Sequence, residues 1–151
     1  INVTEKTWTL AGSATKNRAP HVVPLSDAAL AIIERQPRFE DCDYVFTTDG
    51  ATHFSGYSKS KTALDKLAPI SPKWGLHDLR RTVATRLAAM GVPLVVAEKI
   101  LNHGRGVLNG VAGVYNLHGY AAERRAALDN WANTVERIVT GKTAKVIALP
   151  R

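Results

Sequence analysis

From Ile1 to Leu10 the apolar residues Val3, Trp8 and Leu10 roughly alternate with polar ones, and the stretch Ala11 to Pro20 that follows is small, polar and basic. A period of two predicts a strand, and the stretch after it a loop. His21-Val22-Val23-Pro24-Leu25 is a short β-branched run able to pair back on that strand. Residues 3–25 therefore read as a hairpin whose long tip carries Lys16, Asn17 and Arg18. Ser26 or Asp27 caps a helix with apolar positions Leu30, Ile32 and Ile33, stopped at Pro37. A brief strand at Tyr44-Val45-Phe46 and a turn at Asp49-Gly50 come next. Ser55 then opens a helix on which Tyr57, Ala63, Leu64 and Leu67 interleave with Lys59, Lys61 and Lys66, closed by Pro69 and Pro72.

The remainder reads as helical. His77 to Met90 carries Leu79, Val83, Leu87 and Met90 at spacings of four, four and three, and Gly91 stops it. Pro93 suits the first turn of a helix running to about Leu101. Residues 104–113 hold four of the eleven glycines, which predicts a loop or loosely wound turn before Tyr115. A long amphipathic helix from about Tyr120 to Val139 sets Leu128, Trp131, Val135 and Ile138 on one stripe, and Thr140-Gly141-Lys142 breaks it. The apolar, β-prone tail Ala144 to Leu149 is expected to pair with a sheet edge in this molecule or in a neighbour. No internal repeat or low-complexity segment is present. The fold class expected is α+β and mainly α-helical, with a small antiparallel hairpin packed beside a helical bundle.

The length of 151 residues suits one domain, which buries roughly 70% of the surface its unfolded chain exposes. Hydrophobic residues at 45% and charged residues at 22% disfavour disorder. Charge changes the picture more: 20 Lys and Arg against 13 acids give +7 and a pI near 9.8, a balance suited to a polyanion such as nucleic acid. The single cysteine, Cys42, excludes an intramolecular disulfide and fits a reducing, cytoplasmic address. No stretch reaches the roughly 20 apolar residues that span a bilayer, so no membrane association is expected. The chain starts without Met, already patterned as structure, and is read as a fragment of something longer. His21, His53 and His118 lack ligand-like spacing and read as surface or loop residues, with no metal site expected. Trp8 and Trp131 read as core, and Trp74 as either core or a base-stacking platform.

The spacing of three between His77 and Arg80 puts both on neighbouring positions of one helical face, able to point at one ligand. Arg80 flanks the Leu79, Val83 and Leu87 stripe, where its guanidinium can grip a phosphate at the lip of the core. On their own the two read more readily as a surface pair at a helix start. Together with His103, Tyr115 and the hairpin lysine Lys16 they form a set suited to phosphoryl transfer without a metal. Arginine and histidines can stabilise the charge on non-bridging oxygens, and a tyrosine can attack as phenoxide. A lysine can protonate a leaving alkoxide, a contribution of roughly 10² to 10⁴ in rate.

Here the sequence resembles the tyrosine recombinases, or phage-type integrases. The motifs are Thr15-Lys16-Asn17 followed by Val23-Pro24-Leu25-Ser26, then His77-Asp78-Leu79-Arg80-Arg81-Thr82, then Ile100-Leu101-Asn102-His103, then Val114-Tyr115-Asn116. Each is weak alone, and their order and intervals together are specific. The resemblance implies the catalytic-domain fold of that family, with Lys16 as general acid and His77 and Arg80 binding the scissile phosphate. It implies His103 as a second hydrogen-bonding histidine and Tyr115 as the nucleophile that forms a 3′-phosphotyrosyl link and frees a 5′-hydroxyl. It further implies site-specific recombination of double-stranded DNA, no ATP or other cofactor, and a homotetramer on DNA, for which the C-terminal tail is a plausible hook.

The chain departs from the family pattern in three places. Asn102 stands where Gly is usual before the later histidine. The interval from His103 to Tyr115 is longer than the most frequent one, which makes Tyr120 a competitor as nucleophile. A further phosphate-binding arginine, and a separate DNA-gripping domain, belong upstream of Ile1, so residues 1–151 are expected to be most of a catalytic domain and inactive alone. Arg18, Lys73, Arg81 and Arg105 are the DNA-contact candidates. With Lys16 and Arg80 they are expected to line one concave surface, with Asp65, Glu123 and Asp129 mostly elsewhere. A different class of reading takes Arg81 to Leu101 as a helix-turn-helix of a non-enzymatic DNA-binding regulator, with Glu98 and Lys99 facing bases.

Overall fold

The computed structural model describes residues 1–103 and 119–141. Tyr115 and Arg105, His118, the Gly-rich stretch and the 144–149 tail all lie outside the described residues. Two strands, β1 (Thr7–Leu10) and β2 (His21–Pro24), form an antiparallel hairpin in which Thr7 faces Pro24 and Leu10 faces His21. Among the described residues five α-helices follow: α1 (Asp27–Glu34), α2 (Tyr57–Leu67), α3 (Leu76–Ala89), α4 (Leu94–Leu101) and α5 (Ala121–Thr140). This is the mainly helical α+β arrangement that the hydrophobic periodicity predicts.

Local chemistry sets most boundaries. The Ser26 hydroxyl accepts the Ala29 N–H, capping α1, and Asp27 adds an acid to its first turn. Asp78 accepts the Gly75 N–H at 2.8 Å and so secures the start of α3. Gly91, at φ +75°, ends α3: its N–H reaches the Ala88 carbonyl while the Val92 N–H reaches that of Leu87, a Schellman motif. Pro93 precedes α4 in extended geometry, one position earlier than the first-turn site expected. Asn102 ends α4 in the left-handed region at φ 51° and ψ 42°, which asparagine tolerates better than most side chains.

The hairpin is held to the last helix by arginines. Arg124 donates to the Val22 carbonyl at 2.8 Å, and Arg125 to the Glu5 carbonyl at 2.9 Å. Where α3, α4 and α5 meet, Leu87, Ala97 and Ala127 are buried, with Val83, Val92, Ile100 and Trp131 packed around them. A second cluster joins Leu25 to Leu30 and Ile33 of α1, with Ala29 and Val45 against it.

Four expectations are corrected. Tyr44-Val45-Phe46 is not a strand: a single rung, Phe54 N–H to Phe46 carbonyl, spans the turn that Asp49 gathers on its carboxylate, while Val45 packs on the α1 cluster. Trp8 is 44% exposed, because nothing described covers that face of the hairpin. Leu79 is 56% exposed, so the buried part of the α3 stripe begins at Val83. Helix α2 starts at Tyr57, without a Ser55 cap, and no residue of it is buried. Its Lys61 ammonium lies 4.1 Å from the Trp74 ring centroid and 2.6 Å from Asp65.

Candidate active site

The hairpin tip is a closed loop. The Thr15 hydroxyl lies between the Gly12 and Ala19 carbonyls, at 3.0 and 2.8 Å, and shares its one proton between them, and the Arg18 N–H closes a turn on the Thr15 carbonyl. Lys16 sits exposed within that turn. Gly12 permits the closure, since a Cβ there would stand 2.6 Å from the Arg18 carbonyl oxygen.

One turn into α3, half-buried Arg80 donates from Nη2 to the Leu101 carbonyl, capturing a group that the end of α4 leaves unpaired. His77 precedes it by three residues and is exposed. His103 follows the left-handed residue Asn102; its backbone N–H reaches the Glu98 carbonyl at 3.1 Å and its Nδ1 lies 2.8 Å from the Glu98 carboxylate.

Lys16, His77, Arg80 and His103 all line one open cavity of about 1090 Å³ between the hairpin and the α3 and α4 ends. Four of the five residues expected to be catalytic are thus brought together from three separate parts of the chain. Arg18, Lys73 and Arg81 lie outside the lining, and Arg81 is paired with Asp78 at 3.0 Å. Asp65, Glu123 and Asp129 are also outside it, but one acid, Glu98, is in it.

Three lining residues were not among the expected site residues. His21, expected at the surface or in a loop, is half-buried on β2. Its pKa is lowered, first by burial and then by the neighbouring Arg124 charge, against the opposing effect of a hydrogen bond to the Ile100 carbonyl. Glu98 and Asn17 join the site through contacts with His103 and Asn102. Asp78 is held below the usual carboxylate range by the Gly75 N–H and then by Arg81, which keeps it ionised beside His77. Among the described residues no three His, Cys, Asp or Glu gather as metal ligands, and no helix is long and apolar enough to cross a membrane. On α4 Leu94 is exposed, while Glu98 and Lys99 are half-buried and the Glu98 carboxylate is engaged with His103.

Comparison with known proteins finds two relatives along most of the chain. The chain is 30% identical over 142 residues to the prophage integrase IntA of Escherichia coli, and 31% identical over 144 residues to the prophage integrase IntZ of the same organism. Each alignment covers 93% of this chain but only 34% and 35% of the relatives, so the chain spans about a third of their length. No solved structure matches. Residues 1–107, which carry the lysine hairpin, the His77 to Arg80 helix and the His103 turn, match the Phage integrase family, and the chain belongs to that family, the tyrosine recombinases.

Proposed function

We propose that the protein carrying this chain recombines DNA at specific sites, and that residues 1–151 supply most of its catalytic domain. The convergence of Lys16, His77, Arg80 and His103 on one cavity carries this reading. In it, Arg80, His77 and His103 hold the scissile phosphate and stabilise the charge that grows on its non-bridging oxygens, the largest single contribution in such sites. Tyr115, having released its proton to solvent, bonds to phosphorus. The bond from phosphorus to the 5′ oxygen breaks, and Lys16 delivers a proton to that oxygen. One ester replaces another, so attack by a new 5′-hydroxyl reverses the step and joins strands without ATP. Arg18, Lys73, Arg81 and Arg105 contribute phosphate contacts beside the cavity. A further phosphate-binding arginine and a DNA-gripping domain come from elsewhere in the longer protein, and the resemblance carries a tetramer on DNA as part of the same proposal.

Tyr115 is preferred to Tyr120 as nucleophile. Tyr120 starts α5 with the Lys99 ammonium 5.9 Å from its ring centroid, outside the cavity lining. The test is a nicked suicide substrate incubated with the full-length protein, followed by detection of the covalent adduct. Tyr115→Phe is expected to abolish the adduct and Tyr120→Phe to leave it. Adduct surviving the first change and lost with the second transfers the role to Tyr120, and no adduct from the unaltered protein overturns the reaction itself.

A further inference from the structure

The hairpin tip and the end of α4 are joined by a hydrogen bond between side chains 85 residues apart: Asn17 Nδ2 donates to Asn102 Oδ1 at 2.9 Å. Each partner adjoins a residue of the candidate site, Asn17 following Lys16 and Asn102 preceding His103. Both asparagines line the cavity. The other oxygen and nitrogen roles are consistent with this pairing. Asn17 Oδ1 accepts the Ala19 N–H at 3.2 Å within the tip, which leaves Nδ2 as the group for α4. At position 102 the backbone is left-handed, a conformation open to glycine or asparagine; glycine would satisfy the backbone and offer Asn17 nothing.

We infer that Asn17 and Asn102 form a clasp that positions Lys16 over the phosphate-binding groups Arg80 and His103. The inference rests on the reading of Lys16 as general acid. A lysine ammonium rides on a flexible four-carbon stem, so where its backbone is anchored decides where the proton can be delivered. The Thr15 bonds make the tip one unit, and the clasp fixes that unit to the very turn that presents His103. The asparagines are positioning residues: they act through Lys16 and not on the phosphate.

The test uses the full-length protein and two suicide substrates, one with the ordinary 5′ bridging oxygen and one with sulfur in its place. A thiol has a pKa of about 8.5, so a thiolate leaves without being protonated and Lys16 becomes dispensable. Asn102→Gly keeps the left-handed turn and deletes the clasp. It is expected to slow cleavage of the oxygen substrate by roughly tenfold to a hundredfold, the scale of a displacement of about 1 Å in a catalytic group. Asn17→Ala should do the same, the double variant should be no slower than the worse single one, and Asn102→Asp, which keeps Oδ1, should retain activity. All of them, and Lys16→Ala, should cleave the sulfur substrate at the unaltered rate. An unimpaired Asn102→Gly, an equal deficit on both substrates, or multiplying defects in the double variant would overturn the clasp, while rescue of Lys16→Ala by sulfur would still support the general acid. Failure of sulfur to rescue Lys16→Ala would overturn both.

Discussion

His103 Nδ1 and Glu98 Oε2 lie 2.8 Å apart across the left-handed turn at Asn102, a span of five residues that no regular helix brings into register. Since Glu98 also accepts the His103 backbone N–H, it holds this histidine by main chain and side chain together. The carboxylate takes Nδ1–H and turns Nε2 toward the cavity, where the doubly protonated ring donates Nε2–H to a phosphate oxygen. Glu98→Ala should release the ring to a mixture of tautomers, seen in the ¹⁵N shifts of the imidazole, and slow strand cleavage about tenfold, the lower end of what such orienting partners contribute. Glu98→Gln keeps an acceptor and should retain most of the rate. An unchanged nitrogen spectrum in Glu98→Ala would show that the ring is oriented by something else.

Arg80 is asked to serve two partners at once. One N–H goes to the Leu101 carbonyl, and the rest of its five-donor fork remains for a phosphate. Lysine offers a point charge on a flexible stem and cannot do both in one geometry. Arg80→Lys should therefore lose about 10² to 10³ in cleavage rate, comparable to removing one oxyanion donor. The cost in stability should be only about 1 kcal/mol, for one hydrogen bond. Adduct formation and a urea titration measure the two effects separately; a large stability loss with an unaltered rate would assign Arg80 to the fold alone.

Because burial and the Arg124 charge lower the His21 pKa, the unfolded chain binds a proton there more readily than the folded one. Stability from this group is complete above the ordinary value of 6.5 and is lost as pH falls through the lower folded-state value. Asp78 and Asp49, both lowered by hydrogen bonds, lose their contributions in a more acid window, below the ordinary carboxylate value of 3.8. The urea midpoint should thus fall as pH drops below 6.5, with part of that slope removed by His21→Gln. Equal slopes in the two proteins would exclude His21 as the source.

Much of this was legible along the chain because the signals are local. Ser26 marks a helix end through its hydroxyl, Gly91 and Pro93 through their backbone, and the hairpin shows in the alternation before Ala11. The order of the Lys16, His77 to Arg80 and His103 motifs carried the family. What could not be read depends on distant partners. His21 looks like any strand histidine until α4 supplies a carbonyl and α5 supplies Arg124. Asn17 acquires its role from Asn102, 85 residues on. The apolar positions of α2 and the outer half of α5, where Ile138 is 65% exposed, obey helical periodicity yet remain uncovered among the described residues. Periodicity reports a face and not what meets it.

Leu79 and Leu87 share one stripe of α3, eight residues apart, and their surroundings differ completely: 56% exposed against 0%. At Leu87 the neighbouring helices present the short side chains of Ala97 and Ala127. Truncating Leu87 leaves a space those alanines cannot fill, and collapse would require whole helices to move. Leu87→Ala should cost about 2–5 kcal/mol, which lowers the melting midpoint by on the order of 5–15 °C for a chain of this size. Leu79→Ala should stay within about 0.5 kcal/mol, as surface changes do. Urea unfolding of the two variants side by side decides the point, and equal losses would mean that the junction of α3, α4 and α5 is not what holds the cavity walls together.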